Sequence, residues 1–393
     1  SLRHAERVAG AGLAGHARLG GEYHVARRPL GSYSKLVARF YPTAVGFYVL
    51  ATCLGVLLRY FFVAPFTFLD FGNAVHAHSH TLYFGWGALG LFAGMLAELG
   101  AEGRWPQRFL GAVTVISAAT FVSFLQGGYS VPSIVISALS LLVWPVGVVL
   151  VWRAARGGQD LSVSYFRAAM VYILLASFGA ILRAAFMATE ASNFAKSLAV
   201  FGFLHNFSWF FVFGLLGLLL RTAPKLGLSM DEGPLRRFLL FAAPLAWLGF
   251  PLGVHQGSEG LLGFVARGST LVLLVPGALA AAAVWRVGEG RSTSHLGFRW
   301  LGLWLGLDLL LASLGAAGLA DLAHRSRHLV VIYLHVRLLG FFSLGLMLCL
   351  FTARRGRAGF GPGLWLHNFG LTVMLSGLAL AGIPATGLSL PAT

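Results

Sequence analysis

The sequence predicts an all-α protein that crosses a membrane about eleven times, and three observations carry that prediction. Apolar runs of about 20 residues recur along the chain, each long enough to span a bilayer as a helix. Hydrophobic residues fill 57% of the 393 positions and charged residues only 11%, with a mean hydropathy of +0.78. A water-soluble domain cannot hide that much apolar surface. Finally, the basic residues collect in alternate connections, the signature of a chain that threads back and forth.

Length, apolar continuity and charged ends place the spans at 40–63, 73–98, 107–126, 131–153, 164–188, 196–221, 236–254, 262–286, 298–319, 328–352 and 363–385. The count stands at eleven, with twelve as the upper bound. One set of connections holds Arg39, Arg104, Arg108, Arg153, Arg156, Arg221, Lys225, Arg236, Arg237, Arg286, Arg291, Arg354, Arg355 and Arg357. The other holds little that is basic beyond Arg325 and Arg327. The positive-inside rule then puts the N-terminus in the cytoplasm and the C-terminus outside. Residues 1–38 read as a polar, basic cytoplasmic tail, 39–386 as the membrane bundle and 387–393 as a short outer tail.

The excess of 29 Lys+Arg over 13 Asp+Glu is explained by that orientation. Phosphate-binding loops and nucleic-acid motifs are absent, so the expected partner is the lipid bilayer and no nucleic acid. Cys53 and Cys349 lie inside apolar runs without a CxxC or CxxCH pattern and say nothing about redox compartment.

The informative residues are the histidines. Three of them, His76, His78 and His80, open the second span in "FGNAVHAHSHTLYFGW". His205 lies some way into the sixth span, His255 ends the seventh, His324 and His328 flank the start of the tenth, and His335 lies inside it. At 1.5 Å per residue, His205 and His335 sit roughly 10–14 Å below the outer helix ends. Four spans distant in sequence thus carry imidazoles in the outer third of the membrane. Polar groups at that depth are costly and face partners inside the bundle. A neutral imidazole offers a lone pair suited to iron, copper or zinc. His76 and His80 are four apart and share a helix face, whereas His78 points about 200° away from either neighbour.

Other polar residues fall inside the membrane: Arg337, two positions after His335, with Arg183, Arg267 and Asp308. A buried Arg suits a haem propionate or another anion, and Asp308 is a ready salt-bridge partner for it. The aromatic clusters "HNFSWFF" and "YFGW" suit either span ends or the walls around a flat macrocycle. His4, His16 and His24 in the tail, His295 in a cytoplasmic loop and His367 at the start of the last span read as solvated or interfacial.

Histidines at the outer ends of spans two, six, seven and ten resemble the layout of the catalytic subunit of haem–copper oxidases and nitric oxide reductases. "HSHTLYFGW" is also similar to the HAH-x-N-L-x-GW segment of small relatives of that subunit, and the NnrS-type haem- and copper-containing membrane proteins form a second similar group. The resemblance implies an oxidase subunit I-like bundle in the cytoplasmic (inner) membrane. It further implies a b-type haem and a copper or other second metal, with nitric oxide or oxygen chemistry and a quinol or small cytochrome as electron donor. Carried over by position, the second-span haem ligand is His80 or His76, opposed by His335, with Arg337 as a propionate partner. His205 stands at the sixth-span copper position and His255 at the seventh, with His78 available to complete that metal. Tyr333 occupies the place of a second haem's ligand, and "HNFSW" replaces the family's HPEVY.

Two other classes fit the same residues. A metal-ion or anion transporter would use the outer histidines for capture and Arg337, Arg183 and Asp308 as a path. A membrane zinc hydrolase would need about three ligands and a water, yet no HExxH is present.

Overall fold

A computed structural model of the chain describes residues 35–101, 103–287, 293–355 and 361–382. Most of the expected cytoplasmic tail (1–34), with His4, His16 and His24, lies outside the described residues, as does the expected outer tail, 387–393. Among the described residues the regular elements are all helices. That follows from the bilayer, where each backbone N–H and C=O must find its partner within its own segment.

Ten of these helices are long and apolar enough to cross a membrane. They are α1 (Lys35–Tyr60), α3 (Arg104–Gly127), α4 (Val131–Ala154), α5 (Leu161–Ala188), α6 (Asn193–Lys225), α7 (Glu232–Gly253), α8 (Gly260–Trp285), α9 (Ser294–Leu319), α10 (His328–Thr352) and α11 (Gly361–Gly382). The remaining expected span is α2, 71–98, an unbroken helical run whose middle, Thr81–Ala88, is wound as π-helix. Its histidines, glycines and ring-polar aromatics lower its apolarity, yet it is among the most enclosed helices of the bundle. Helices occupy all eleven expected positions with ends displaced by a few residues, and ten of them are long and apolar enough to cross a membrane.

Those caps are specific. Asp70 accepts from the Asn73 N–H at 2.7 Å and starts α2, while Asp160 accepts from the Val163 N–H at 3.1 Å and starts α5. Each leaves fewer of the orphan donors of a first turn. Asp160 also binds Arg221 of α6 at 2.7 Å, and Lys225 of α6 binds Glu98 of α2 at 2.6 Å. These pairs pin α6 to both neighbours at the basic end of the bundle.

Packing is densest around α2, α6 and α10. Side chains from Tyr83 to Leu96, from Asn206 to Leu219 and from Gly340 to Leu346 are buried on every side of their helices. A helix buried all round must be apolar all round, and these stretches are. Their aromatics interlock: Phe211 stacks on Phe342 with ring centroids 4.3 Å apart, Tyr83 meets Phe207 at 5.2 Å, and Phe92 meets Phe109 at 4.9 Å. The Trp86 indole donates to Ser343 Oγ at 2.8 Å, tying α2 to α10. The "HNFSWFF" and "YFGW" rings therefore fill this solid core.

A second π-helical stretch, Val336–Ser343, follows His335 in α10, as Thr81–Ala88 follows His80 in α2. π-Turns widen a helix and recur at functional sites. A third, Gly315–Leu319, ends α9, where Gly318 takes φ 123° and breaks the run.

Close helix approach sets a sharp limit on side-chain size. A Cβ at Gly87 would fall on the Phe211 ring. Gly87→Ala is therefore expected to cost about 1–3 kcal/mol through overpacking, read as a lower unfolding temperature in detergent, whereas Gly111→Ala, with open space around it, should not.

Candidate functional site

The three histidines of α2 diverge as helix geometry requires. His76 and His80 turn toward α3: His80 stacks on Phe124 with centroids 4.2 Å apart, and His76 meets Tyr129 edge-on at 4.4 Å. His78 turns the other way, onto α1. Its Nδ1 lies 2.8 Å from the carbonyl oxygen of Ala51. A carbonyl only accepts, so Nδ1 carries the proton and Nε2 keeps its lone pair. Gly55 makes this approach possible, because a Cβ there would come within 2.9 Å of His78 Cε1.

His335, nine residues into its helix run from Arg327, repeats the arrangement. Its Nδ1 lies 2.7 Å from the Val331 carbonyl oxygen, which again forces the proton onto Nδ1 and the lone pair onto Nε2. Among the described residues, no hydrogen bond reaches Nε2 of either ring. The two imidazoles lie within electrostatic range of each other, and both lie within range of the half-buried Arg59 at the end of α1. The helix stretches that carry them are not packed tightly together: 71–80 packs chiefly on α1 and α3, and 327–335 chiefly on α11.

Packing opens at this level. Between Phe71 and His80 only Ala74 and Ala77 are buried, and between Asn193 and His205 only Ala199 and Gly202. From His328 to His335 no side chain is fully buried. Inward of Thr81, Asn206 and Val336 the same three helices are enclosed. The boundary between open and solid packing coincides with His80, His205 and His335.

His205 is otherwise engaged. Its Nε2 lies 2.7 Å from the Ala246 carbonyl and 3.1 Å from the Trp209 indole nitrogen. One nitrogen cannot donate to the carbonyl and accept from the indole, and the shorter contact decides that Nε2 holds the proton. The ring packs against Gly249 where α7 tightens to a 3₁₀ turn. His255 lies beyond that turn, exposed, with its ring 5.7 Å from that of His324. His205 and His255 thus occupy different surroundings. Among the described residues, no group of three or more His, Cys, Asp or Glu side chains is placed to hold a metal ion.

Arg337 is buried and bound. Its Nε donates to both carboxylate oxygens of Asp308, at 2.9 and 3.0 Å. Its guanidinium lies over the Trp209 and Tyr333 rings, with centroid distances of 5.2 and 4.9 Å. Only 2% of Arg337 and none of Asp308 is exposed. A buried Arg this completely paired serves as a brace between α9 and α10, and its carboxylate partner leaves little reason for it to bind a propionate. Tyr333 lies within this cage, beside the charge pair.

Arg59 is the residue that sequence reasoning missed. It reads as an ordinary basic helix end, and the one available signal was its place at the same end of the bundle as His78 and His335. Two further histidines hold structure: His295 Nδ1 bonds the Val287 carbonyl at 3.0 Å, and His367 Nε2 bonds that of Leu339 at 3.1 Å. Arg267 reaches the Ala316 carbonyl in the α9 kink at 3.4 Å.

No family model matches the chain, and no curated protein matches it.

Removing one member of a buried ion pair leaves the other charged and unsolvated, which costs about 3–5 kcal/mol. Asp308→Ala should therefore lower the unfolding temperature sharply or prevent accumulation, whereas the double change Asp308→Leu with Arg337→Met should recover much of the loss. A double variant as unstable as Asp308→Ala would show that the pair does more than brace the helices.

Proposed function

We propose that the chain is a haem-binding integral membrane protein in which His78 of α2 and His335 of α10 would hold one haem iron through Nε2. One observation carries this reading. Both rings have Nδ1 tied to a backbone carbonyl, which is how proteins orient a ligating imidazole and raise its basicity, and both keep the Nε2 lone pair. The fit is supported by the opening of packing at their level and by the lack of close packing between the two helix stretches. Arg59, within electrostatic range of both rings, is the cation placed to meet a propionate. The second-span histidine favoured by the geometry is thus His78, with His76 and His80 facing Phe124 and Tyr129 instead.

Neither cysteine lies in a CxxCH motif, so the haem would be of b type, held by coordination and packing. Bound there, it would supply one-electron chemistry. The protein's share is to fix the ring tautomers, exclude water with the Phe-rich core below, and neutralise the propionates. The resemblance to haem–copper oxidases and nitric oxide reductases supports a redox or nitric-oxide-handling role, with a quinol or small cytochrome as donor. The loop charges support an inner-membrane protein with a cytoplasmic N-terminus, which places this site near the outer face. A second metal on His205 finds no support in its packing, and a transport path through Arg337 and Asp308 finds none in their mutual pairing.

The test is an absorbance spectrum of detergent-purified protein, air-oxidised and then dithionite-reduced, with iron counted on the same sample. A six-coordinate spectrum with about one iron per chain is expected. His335→Ala and His78→Ala should each abolish it, and His76→Ala and His80→Ala should leave it intact. If His78→Ala keeps the six-coordinate spectrum while His76→Ala or His80→Ala loses it, the ligand assignment falls; protein without haem from haem-replete cells would remove the whole reading.

A further inference from the structure

Beyond the haem reading, and independent of it, lies the pair His255 and His324. These residues are 69 positions apart, on the turn after α7 and on the short helix Ala320–Arg325. Their ring centroids are 5.7 Å apart with an interplanar angle of 59°. A metal–imidazole bond is about 2.0–2.1 Å long, and the ring centroid lies roughly 1.2 Å behind the nitrogen. Two imidazoles on one metal ion then have centroids about 5.2 Å apart at a tetrahedral angle and about 6.4 Å apart when opposed. The observed separation falls between those limits.

The backbones on both sides are held in place. The first turn is closed by the Val254 N–H to the Pro251 carbonyl at 3.0 Å and by the Gly257 N–H to the Val254 carbonyl at 2.9 Å. It is packed so tightly that a Cβ at Gly253 would collide with Phe201. The second element follows the sharp break at Gly318 and ends with the Ser326 N–H bonded to the Leu322 and Ala323 carbonyls at 3.2 Å. His324 follows that break by six residues. His255 is exposed and His324 half-buried, so a hydrated ion can reach the pair.

We propose that His255 and His324 form a binding site for a divalent transition-metal cation of the zinc or copper class. Two imidazoles supply the protein's ligands and water fills the remaining positions. Imidazole nitrogen selects these borderline metals over magnesium or calcium. The ion would join the α7–α8 turn to the kinked connection between α9 and α10, two segments otherwise far apart in the chain.

The experiment uses full-length protein with a histidine-free tag, treated with chelator and titrated with Zn(II) by calorimetry. One Zn(II) per chain is expected at this site. His255→Gln and His324→Gln, which preserve size and polarity, should each weaken binding by about tenfold or more, as loss of a ligand must when loss of a supporting contact already costs that much. The double variant should be no weaker than the poorer single one, and Zn(II) should raise the unfolding temperature of the native protein but not of the variants. Native-like binding in either variant, or no binding by the native chain, would overturn the proposal. Haem content plays no part in these readouts, so the outcome does not depend on the haem reading.

Discussion

Within a bilayer a polar group has no water to turn to, and each must be answered by another group of the protein. That constraint accounts for most of the specific contacts in this structure. Arg337 is answered by Asp308 and two aromatic faces, Trp86 by Ser343, and the Trp304 indole by Asn368 at 2.7 Å. Apart from Tyr333, which shares α10 with Arg337, each partner lies on a different helix, so satisfying buried polarity and fixing helix positions are one event. A core of apolar side chains alone would allow neighbouring helices to slide, because lipid offers them equivalent contacts.

Against that background the histidines fall into two kinds. In His205 the outward nitrogen is consumed by the Ala246 carbonyl, and the ring acts as a helix tie. In His78 and His335 the carbonyl takes Nδ1, and Nε2 keeps its lone pair. His295 is of the second kind as well, with Nδ1 on the Val287 carbonyl, and His78 and His335 differ from it in lying where close packing ends. The π-turns of α2 and α10 follow His80 and His335 at that same level.

Much of this was legible in advance for a physical reason. Spans are set by bilayer thickness and apolar length, which are local properties, so all eleven could be placed to within a few residues. The depth of each histidine followed from helix rise, and the opposed directions of His76/His80 and His78 from helix rotation. Pairing was a different matter. Whether His335 approaches His78 or His80 depends on how α2 is rotated against α1. The close passage at Gly55 sets that rotation, and nothing in "HAHSH" records it. Arg337 was visible as a costly buried charge, but its partner lay 29 residues earlier on another helix, and an anion or Asp308 would have satisfied it equally well.

The sequence alone, then, determined a many-span helical membrane protein with imidazoles gathered toward one end, because hydropathy and helical spacing are written residue by residue. Only the tertiary structure decided which nitrogen of each ring is taken and brought Arg59 within electrostatic range of His78 and His335. It alone brought the ring of His255 to 5.7 Å from that of His324. Those outcomes depend on the rotation and separation of helices packed side by side, which are fixed by close contacts between segments remote in the chain.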